Sequence, residues 1–513
     1  MNKYDIDRNK QTAINLTSSL IVFGVNLIIS FFLSPYVVKT LGVEANGFVS
    51  LANTFISYAT LITIALNSMA GRFITIAIHK EDYKTANKYF NSVFIGNLII
   101  TSILLLPALI CIIKLESIIN ISSNLVLDVK ILFSILFINF LVIQSMPSWG
   151  TATFAANKLY LQSIRGMESN LIRIGVILLL FLFFSPHVYY VGLATMISGI
   201  YSTYFNRYYQ KKLIPQLKIK KGYFKWETIK ELISSGIWNT ITNVGQILLS
   251  GLDLLITNLF IGPVEMGVLA LSKTIPNIII SLAGTLTSTF MPSLTIDYAK
   301  GEQESLKNNL KQGMKIIAIL ITIPLAILIV YGKEFYSLWV PSEDATLLHV
   351  LSVLTCFGLI FTSGIQCLYN AFTVANNLKT SSILLLASGV ISTIIVFILL
   401  KTTNLGIFAV AGVSSFVNLI RNMLYNIPAA SKCLKLKWNT FYPEVFISVF
   451  SVIALTIVGT LIKKLIVVNS WLTLIIAAIC TGVIGLIINI IIILDKDIKI
   501  KLFNCIKKKL NLA

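Results

Sequence analysis

Leu41-Gly42-Val43-Glu44-Ala45-Asn46-Gly47 closes one long apolar run and opens the next. At an offset of 220, Ile261-Gly262-Pro263-Val264-Glu265-Met266-Gly267 does the same. Both read as an apolar residue, Gly, four residues and Gly, and both lead into a new apolar stretch, Phe48-Val49-Ser50-Leu51 and Val268-Leu269-Ala270-Leu271. A second match, Ala156-Asn157-Lys158-Leu159 against Ala375-Asn376-Asn377-Leu378, lies at an offset of 219. Gly-x4-Gly alone is common at turns, but two matches at one offset mark an internal repeat. The glycines themselves read as turn residues, since Gly tolerates φ > 0 and close backbone approach.

Working outward, apolar runs of about 20 residues, long enough to cross a bilayer, recur from near Ile14–Val38 to near Leu472–Leu494. Hydrophobic residues fill 56% of 513 positions and charged residues 12%, about half the charge of a soluble domain. Mean hydropathy is +0.85. The sequence predicts an all-α integral membrane protein of about fourteen spans, centred near residues 25, 57, 102, 138, 177, 198, 248, 277, 322, 359, 390, 414, 454 and 483. The repeat unit then holds six spans. An even number gives the two copies one orientation, the parallel arrangement about a pseudo-two-fold axis along the membrane normal. The expected layout is an N-terminal lobe (1–206, spans 1–6), a basic inter-lobe linker (207–231), a C-terminal lobe (232–425, spans 7–12), two additional spans (426–494) and a basic tail (495–513).

Lys and Arg set the orientation. With both termini cytoplasmic, seven of the 41 basic residues fall outside and Arg173 and Lys273 fall within spans, leaving 32 inside. Eight of those lie between Arg207 and Lys230. The net charge of +20 is thus mainly a topology signal, with solvated anchoring the first reading of the basic loop and tail and contact with anionic lipid heads the alternative; it is not a nucleic-acid surface. The polar N-terminus ahead of a full-length span does not read as a cleaved signal. Six scattered cysteines and three isolated histidines suggest neither disulfides nor a metal, and no cofactor is expected.

Polar residues mark the helix faces that avoid lipid. Asn239, Asn243, Gln246, Ser250, Asp253 and Thr257 recur at steps of three and four in span 7, and Lys273, Asn277, Ser281, Thr285 and Ser288 do so in span 8. Weaker stripes run through span 1 (Asn15, Ser19, Asn26, Ser30) and span 2 (Asn53, Ser57, Thr60, Asn67). Polar groups do not face hydrocarbon cheaply, so the stripes line helix seams or a watery cavity; four in equivalent positions favour the cavity. Asp253 and Lys273 each stand ten positions from Pro263, the same depth on antiparallel helices, about 15 Å from the turn. Two readings stand: a permanent structural ion pair, or a pair that opens to admit a proton, cation or anionic headgroup. Arg173 either snorkels to the inner headgroups or faces the cavity, where its planar fork suits a phosphate.

The paired Gly-x4-Gly hairpins, Ser235-Gly236-Ile237-Trp238, Asp253 and Phe335-Tyr336-Ser337-Leu338-Trp339, taken as an outer loop, together resemble the oligosaccharide and polysaccharide-unit flippases. These belong to the multidrug/oligosaccharidyl-lipid/polysaccharide exporter superfamily. The resemblance covers the whole chain. It implies translocation of an undecaprenyl-diphosphate-linked oligosaccharide from the inner to the outer face of a bacterial cytoplasmic membrane by alternating access, for O-antigen or capsule synthesis. It also implies H+ or Na+ as a coupling ion and association with polysaccharide polymerase machinery. The candidate substrate-contacting residues are then Arg173, Lys273, Asn239, Asn243, Gln246, Asn26, Asn53 and Asn277, with Asp253 as gate or coupling acid. A cation-coupled multidrug antiporter or a lipid II flippase of the same superfamily is the alternative; span 1 carries no acidic residue, Asn26 standing where one is sought. An enzyme is not expected, because no positioned acid–base cluster or phosphate-binding loop is present.

Overall fold

The computed structural model describes residues 3–375 and 377–494. The basic tail and the side chain of Asn26 lie outside the described residues. Among those residues the regular structure is helical throughout: α1 (Lys3–Leu41), α2 (Val43–His79), α3 (Tyr83–Ile113), α4 (Val126–Gln144), α5 (Leu159–Phe183), α6 (Tyr189–Leu213), α7 (Trp226–Gln246), α8 (Asp253–Phe260), α9 (Pro263–Ser272), α10 (Thr274–Lys300), α11 (Gln303–Trp339), α12 (Ala345–Thr362), α13 (Leu378–Thr402), α14 (Ile407–Arg421), α15 (Tyr442–Leu465) and α16 (Trp471–Ile493).

Among the described residues eleven helices are long and apolar enough to cross a membrane, twelve if the bent pair Trp226–Gly251 and Asp253–Phe260 is one span. The expected fourteen is not reached on length and composition. One shortfall is α1, described in full only towards its end. The other is α6, whose Tyr189, Tyr190, Tyr201, Tyr204, Tyr208 and Tyr209 dilute its apolar character. A second correction concerns Phe335–Trp339, which continues α11 rather than forming a loop. Phe335 stacks on Trp339 and meets Trp471 edge-on, and the buried Tyr336 hydroxyl is hydrogen-bonded to the Ser352 hydroxyl at 2.6 Å.

α15 presents its large apolar side chains outward. On α15 the exposed face is Phe446, Phe450, Ile453, Ile457 and Leu461, while the buried face carries Ser448, Ser451, Leu455 and Gly459. Large apolar groups outside and small or polar ones inside is the pattern lipid selects, because helices gain no hydrophobic advantage by packing in hydrocarbon. The chain is a multi-pass membrane protein.

It forms two compact units: Met1–Ile247 with Leu254–Gly267, and Leu248–Asp253 with Val268–Ala513. In the first, the repeated glycine motifs meet one another. Gly42 has φ +88° at the tight turn between α1 and α2. A Cβ on Gly47 would lie 2.7 Å from the Gly267 Cα, and one on Gly267 would lie 2.3 Å from the Val43 carbonyl oxygen. The second glycine of each copy therefore serves backbone-to-backbone helix contact. Glu44, inside the same motif, accepts from the Ser122 hydroxyl at 2.8 Å and its amide at 3.2 Å. The segment after α6 is held by buried amides. Asn87 donates to the Gln216 carbonyl (2.9 Å) and accepts from the Lys218 amide (2.8 Å); Asn91 does the same for Lys218 (2.9 Å) and Lys220 (2.8 Å).

In the second unit α15 and α16 pack on α11. The Tyr331 hydroxyl donates to the Gly459 carbonyl at 3.0 Å. Asn489 donates to the Ile319 carbonyl (3.0 Å) and the Thr322 hydroxyl (2.8 Å), and its amide oxygen accepts from Ser451. Each such bond between membrane helices is worth about 0.6 kcal/mol, so the seam is held by several at once.

Candidate functional site

Two of the three charges expected inside spans, Asp253 and Lys273, meet within the second unit. Lys273 donates to the Asp253 carboxylate, and both side chains are nearly enclosed, 13% and 5% exposed. The helices are broken where they meet. A π-helical turn at Ile247–Gly251 precedes Asp253, and the span bends by 41° there. Lys273 stands between α9 and α10.

The breaks are chemically supported. In a bilayer every carbonyl that leaves the helical ladder needs another donor. The Leu248 carbonyl accepts from the Thr393 hydroxyl at 2.8 Å and the Leu249 carbonyl from Ser392 at 3.3 Å. The Ser272 carbonyl accepts from the Ser352 hydroxyl at 2.7 Å and the Tyr336 hydroxyl at 3.3 Å. Irregular backbone beside a buried ion pair is how discontinuous helices build ion and substrate sites in transporters. Removing one member of such a pair costs ~3–5 kcal/mol, whereas replacing both by apolar groups is often neutral.

The other expected residues lie on α2, α5, α7 and α10. Asn243 is exposed and donates to the Asn239 carbonyl one turn back at 2.8 Å; Asn53 is exposed and donates to Val49 at 2.9 Å. Gln246 and Asn277 are exposed, and Asn239 is half-buried. Arg173 is half-buried on α5, its Nε enclosed with no hydrogen-bond partner among the described residues.

The structure adds residues the sequence did not single out. Glu444, 6% exposed, receives Lys311 at 2.9 Å, while its Oε2 is buried without a partner among the described residues. A second π-helical turn, Asn422–Asn426, follows α14; there Asn422 accepts from the Tyr369 hydroxyl at 2.6 Å and Arg421 donates to Asn418 at 2.8 Å. In the first unit a cavity of about 470 Å3 lies between the middle of α2 and the segment after α4. Thr60 and Asn67 of the span 2 stripe reach it, joined by Asn97, Gln144, Trp149 and Asn206. Those four are single polar or aromatic positions on separate elements, so no periodic stripe announced them.

Residues 12–295 match the family described as "Polysaccharide biosynthesis protein". The chain belongs to that family. This polysaccharide biosynthesis family member is 28% identical over 462 residues to EpsK of Bacillus subtilis (strain 168), an uncharacterized membrane protein, covering 90% of this chain and 91% of that one. Its fold is similar to that of the lipid II flippase MurJ in an inward closed conformation, with a TM-score of 0.69 at 16% identity, covering 92% of this chain and 97% of that one. It is also similar to an inward-facing multidrug resistance MATE family transporter of the MOP superfamily, with a TM-score of 0.58 at 16% identity, covering 82% and 99%. The fold of the family member is thus that of the MATE and MurJ transporters.

Proposed function

We propose that this protein flips an undecaprenyl-diphosphate-linked oligosaccharide from the inner to the outer face of the bacterial cytoplasmic membrane by alternating access, supplying surface polysaccharide such as O-antigen or capsule. The reading is carried by the buried Asp253–Lys273 pair, seated where two consecutive spans break, in a member of the polysaccharide biosynthesis family. A charge held in hydrocarbon is costly and is kept for a task. In this scheme both termini are cytoplasmic, H+ or Na+ competes with Lys273 for Asp253, and release of the pair frees a cation for the diphosphate. Arg173, whose buried guanidinium Nε has no hydrogen-bond partner among the described residues, is assigned to the diphosphate as well. The exposed asparagines of α2, α7 and α10, with Gln246, line the path of the sugar, and a polysaccharide polymerase receives the product.

Deletion of the gene tests the reading. Loss of a surface polysaccharide, with lipid-linked units accumulating on the inner leaflet and drug sensitivity unchanged, is the expected phenotype. Intact polysaccharide with heightened drug sensitivity replaces the reading with a multidrug antiporter.

A further inference from the structure

Beside the 470 Å3 cavity of the first unit lies a second one of about 290 Å3. Trp149 lines both, and the Arg207 guanidinium lies over its ring at 5.5 Å. The two cavities differ in chemistry. Among the described residues no Asp, Glu, Lys or Arg lines the larger; its polar groups are amides and hydroxyls, including Asn67 and Asn97, which bond to each other at 2.9 and 3.0 Å. Gln144 and Asn206 have no side-chain hydrogen-bond partner among the described residues, so their amides are available to a ligand. The smaller cavity is basic, lined by Arg207, Lys211 and Lys218, with Gln210 beside them.

The basic side is built rather than merely charged. Buried Asn87 and Asn91 clamp the Lys218 backbone from both sides, and Gln210 donates to the Ile214 and Leu217 carbonyls at 3.1 and 2.9 Å. Topology signals and lipid anchoring need positive charge but no fixed geometry. Three buried amides thus fix the backbone of the loop that carries Lys218, while the Arg207, Lys211 and Lys218 side chains stay exposed.

We infer that the first unit holds a two-part site for a glycosyl phosphate: the anion against Arg207, Lys211 and Lys218, and the uncharged sugar against Gln144, Asn206 and the amides around them. A cavity without cations is unsuited to phosphate and suited to a polyol, whose hydroxyls both donate and accept, as amides do. Trp149 is the wall between the parts, as the glycosidic oxygen is the joint between sugar and phosphate. The inference rests on the flippase reading and deepens it, placing a recognition step for the sugar-phosphate junction within the first unit.

The test uses full-length protein in nanodiscs and three probes: undecaprenyl diphosphate, the same lipid carrying one N-acetylhexosamine, and phosphatidylglycerol. Wild type is expected to bind the sugar-bearing lipid about tenfold more tightly than the bare one, the effect of one or two extra hydrogen bonds. Gln144→Leu with Asn206→Leu should erase that gap and leave the bare lipid unchanged. The single Gln144→Ala and Asn206→Ala changes should each narrow it and serve if the double variant does not fold. Arg207→Gln with Lys218→Gln should weaken both undecaprenyl lipids at least tenfold and leave phosphatidylglycerol unaffected. The inference falls if the amide variants keep the gap, or if the basic variant loses phosphatidylglycerol equally, which makes the cations a lipid anchor. Equal binding of both undecaprenyl lipids by wild type removes the inference alone; binding of neither removes the flippase reading as well.

Discussion

Replacing Asp253 by Leu leaves the Lys273 ammonium in a space only 13% exposed with its carboxylate gone; replacing Lys273 by Met strands the carboxylate. Either single change is expected to cost ~3–5 kcal/mol, the penalty of an uncompensated buried charge. In a cooperative unit of about 250 residues each kcal/mol moves Tm by ~2–4 °C, so about 4 kcal/mol lowers Tm by ~8–16 °C. Asp253→Leu with Lys273→Met has no charge to strand and should return to within about 1 kcal/mol of wild type. The coupling energy in that cycle is therefore ~5–9 kcal/mol, beyond the usual range for neighbours, because each single change exposes the full desolvation cost. Thermal unfolding of purified protein followed by tryptophan fluorescence reads stability, and surface-glycan production reads transport. Single variants that shift Tm by under about 2 °C refute the burial argument. A stable double variant that still exports glycan refutes the role of the pair in transport while leaving its structural role intact.

Gly267→Leu should lower expression and Tm sharply, because its Cβ meets the Val43 backbone oxygen at 2.3 Å and overpacking costs ~1–3 kcal/mol or more; a wild-type melting curve would show that contact to be absent. Asn489→Leu should destabilise the seam of α11, α15 and α16 by ~1–3 kcal/mol, since it removes the buried bonds of its amide to Ile319, Thr322 and Ser451; guanidinium or thermal titration checks this. In a cysteine-free background, Lys220→Cys should label with an impermeant maleimide only from the cytoplasm and Ser342→Cys only from outside; the reverse pattern overturns the orientation drawn from Lys and Arg.

Legibility followed the physics of each element. Spans announce themselves because about 20 apolar residues in a row have few other uses, and the exposed face of α15 shows that lipid reads them so. The depth of Asp253 and Lys273 followed from equal spacing about Pro263, since helix rise converts position into distance. The breaks beside them did not: a π-helical turn at Ile247–Gly251 arises from tertiary donors such as Ser392 and Thr393, more than 130 positions away. The helix of Phe335–Trp339 was hidden because its aromatics resemble a loop anchored at the interface. Gln144, Trp149 and Asn206 escaped notice since a cavity assembled from single residues on separate elements leaves no period in the sequence. Arg173 could be placed in its span but not given a partner.

Reconstituted translocation tests the central claim most directly. Purified protein in proteoliposomes carries undecaprenyl-diphosphate N-acetylhexosamine in both leaflets, and an impermeant glycosyltransferase added outside converts whatever sugar it reaches. The account predicts complete conversion with protein present, against about half without it, and a return towards half when Asp253 and Lys273 are both replaced. Conversion that stops at half with the wild-type protein, under an imposed ion gradient of either sign, contradicts it.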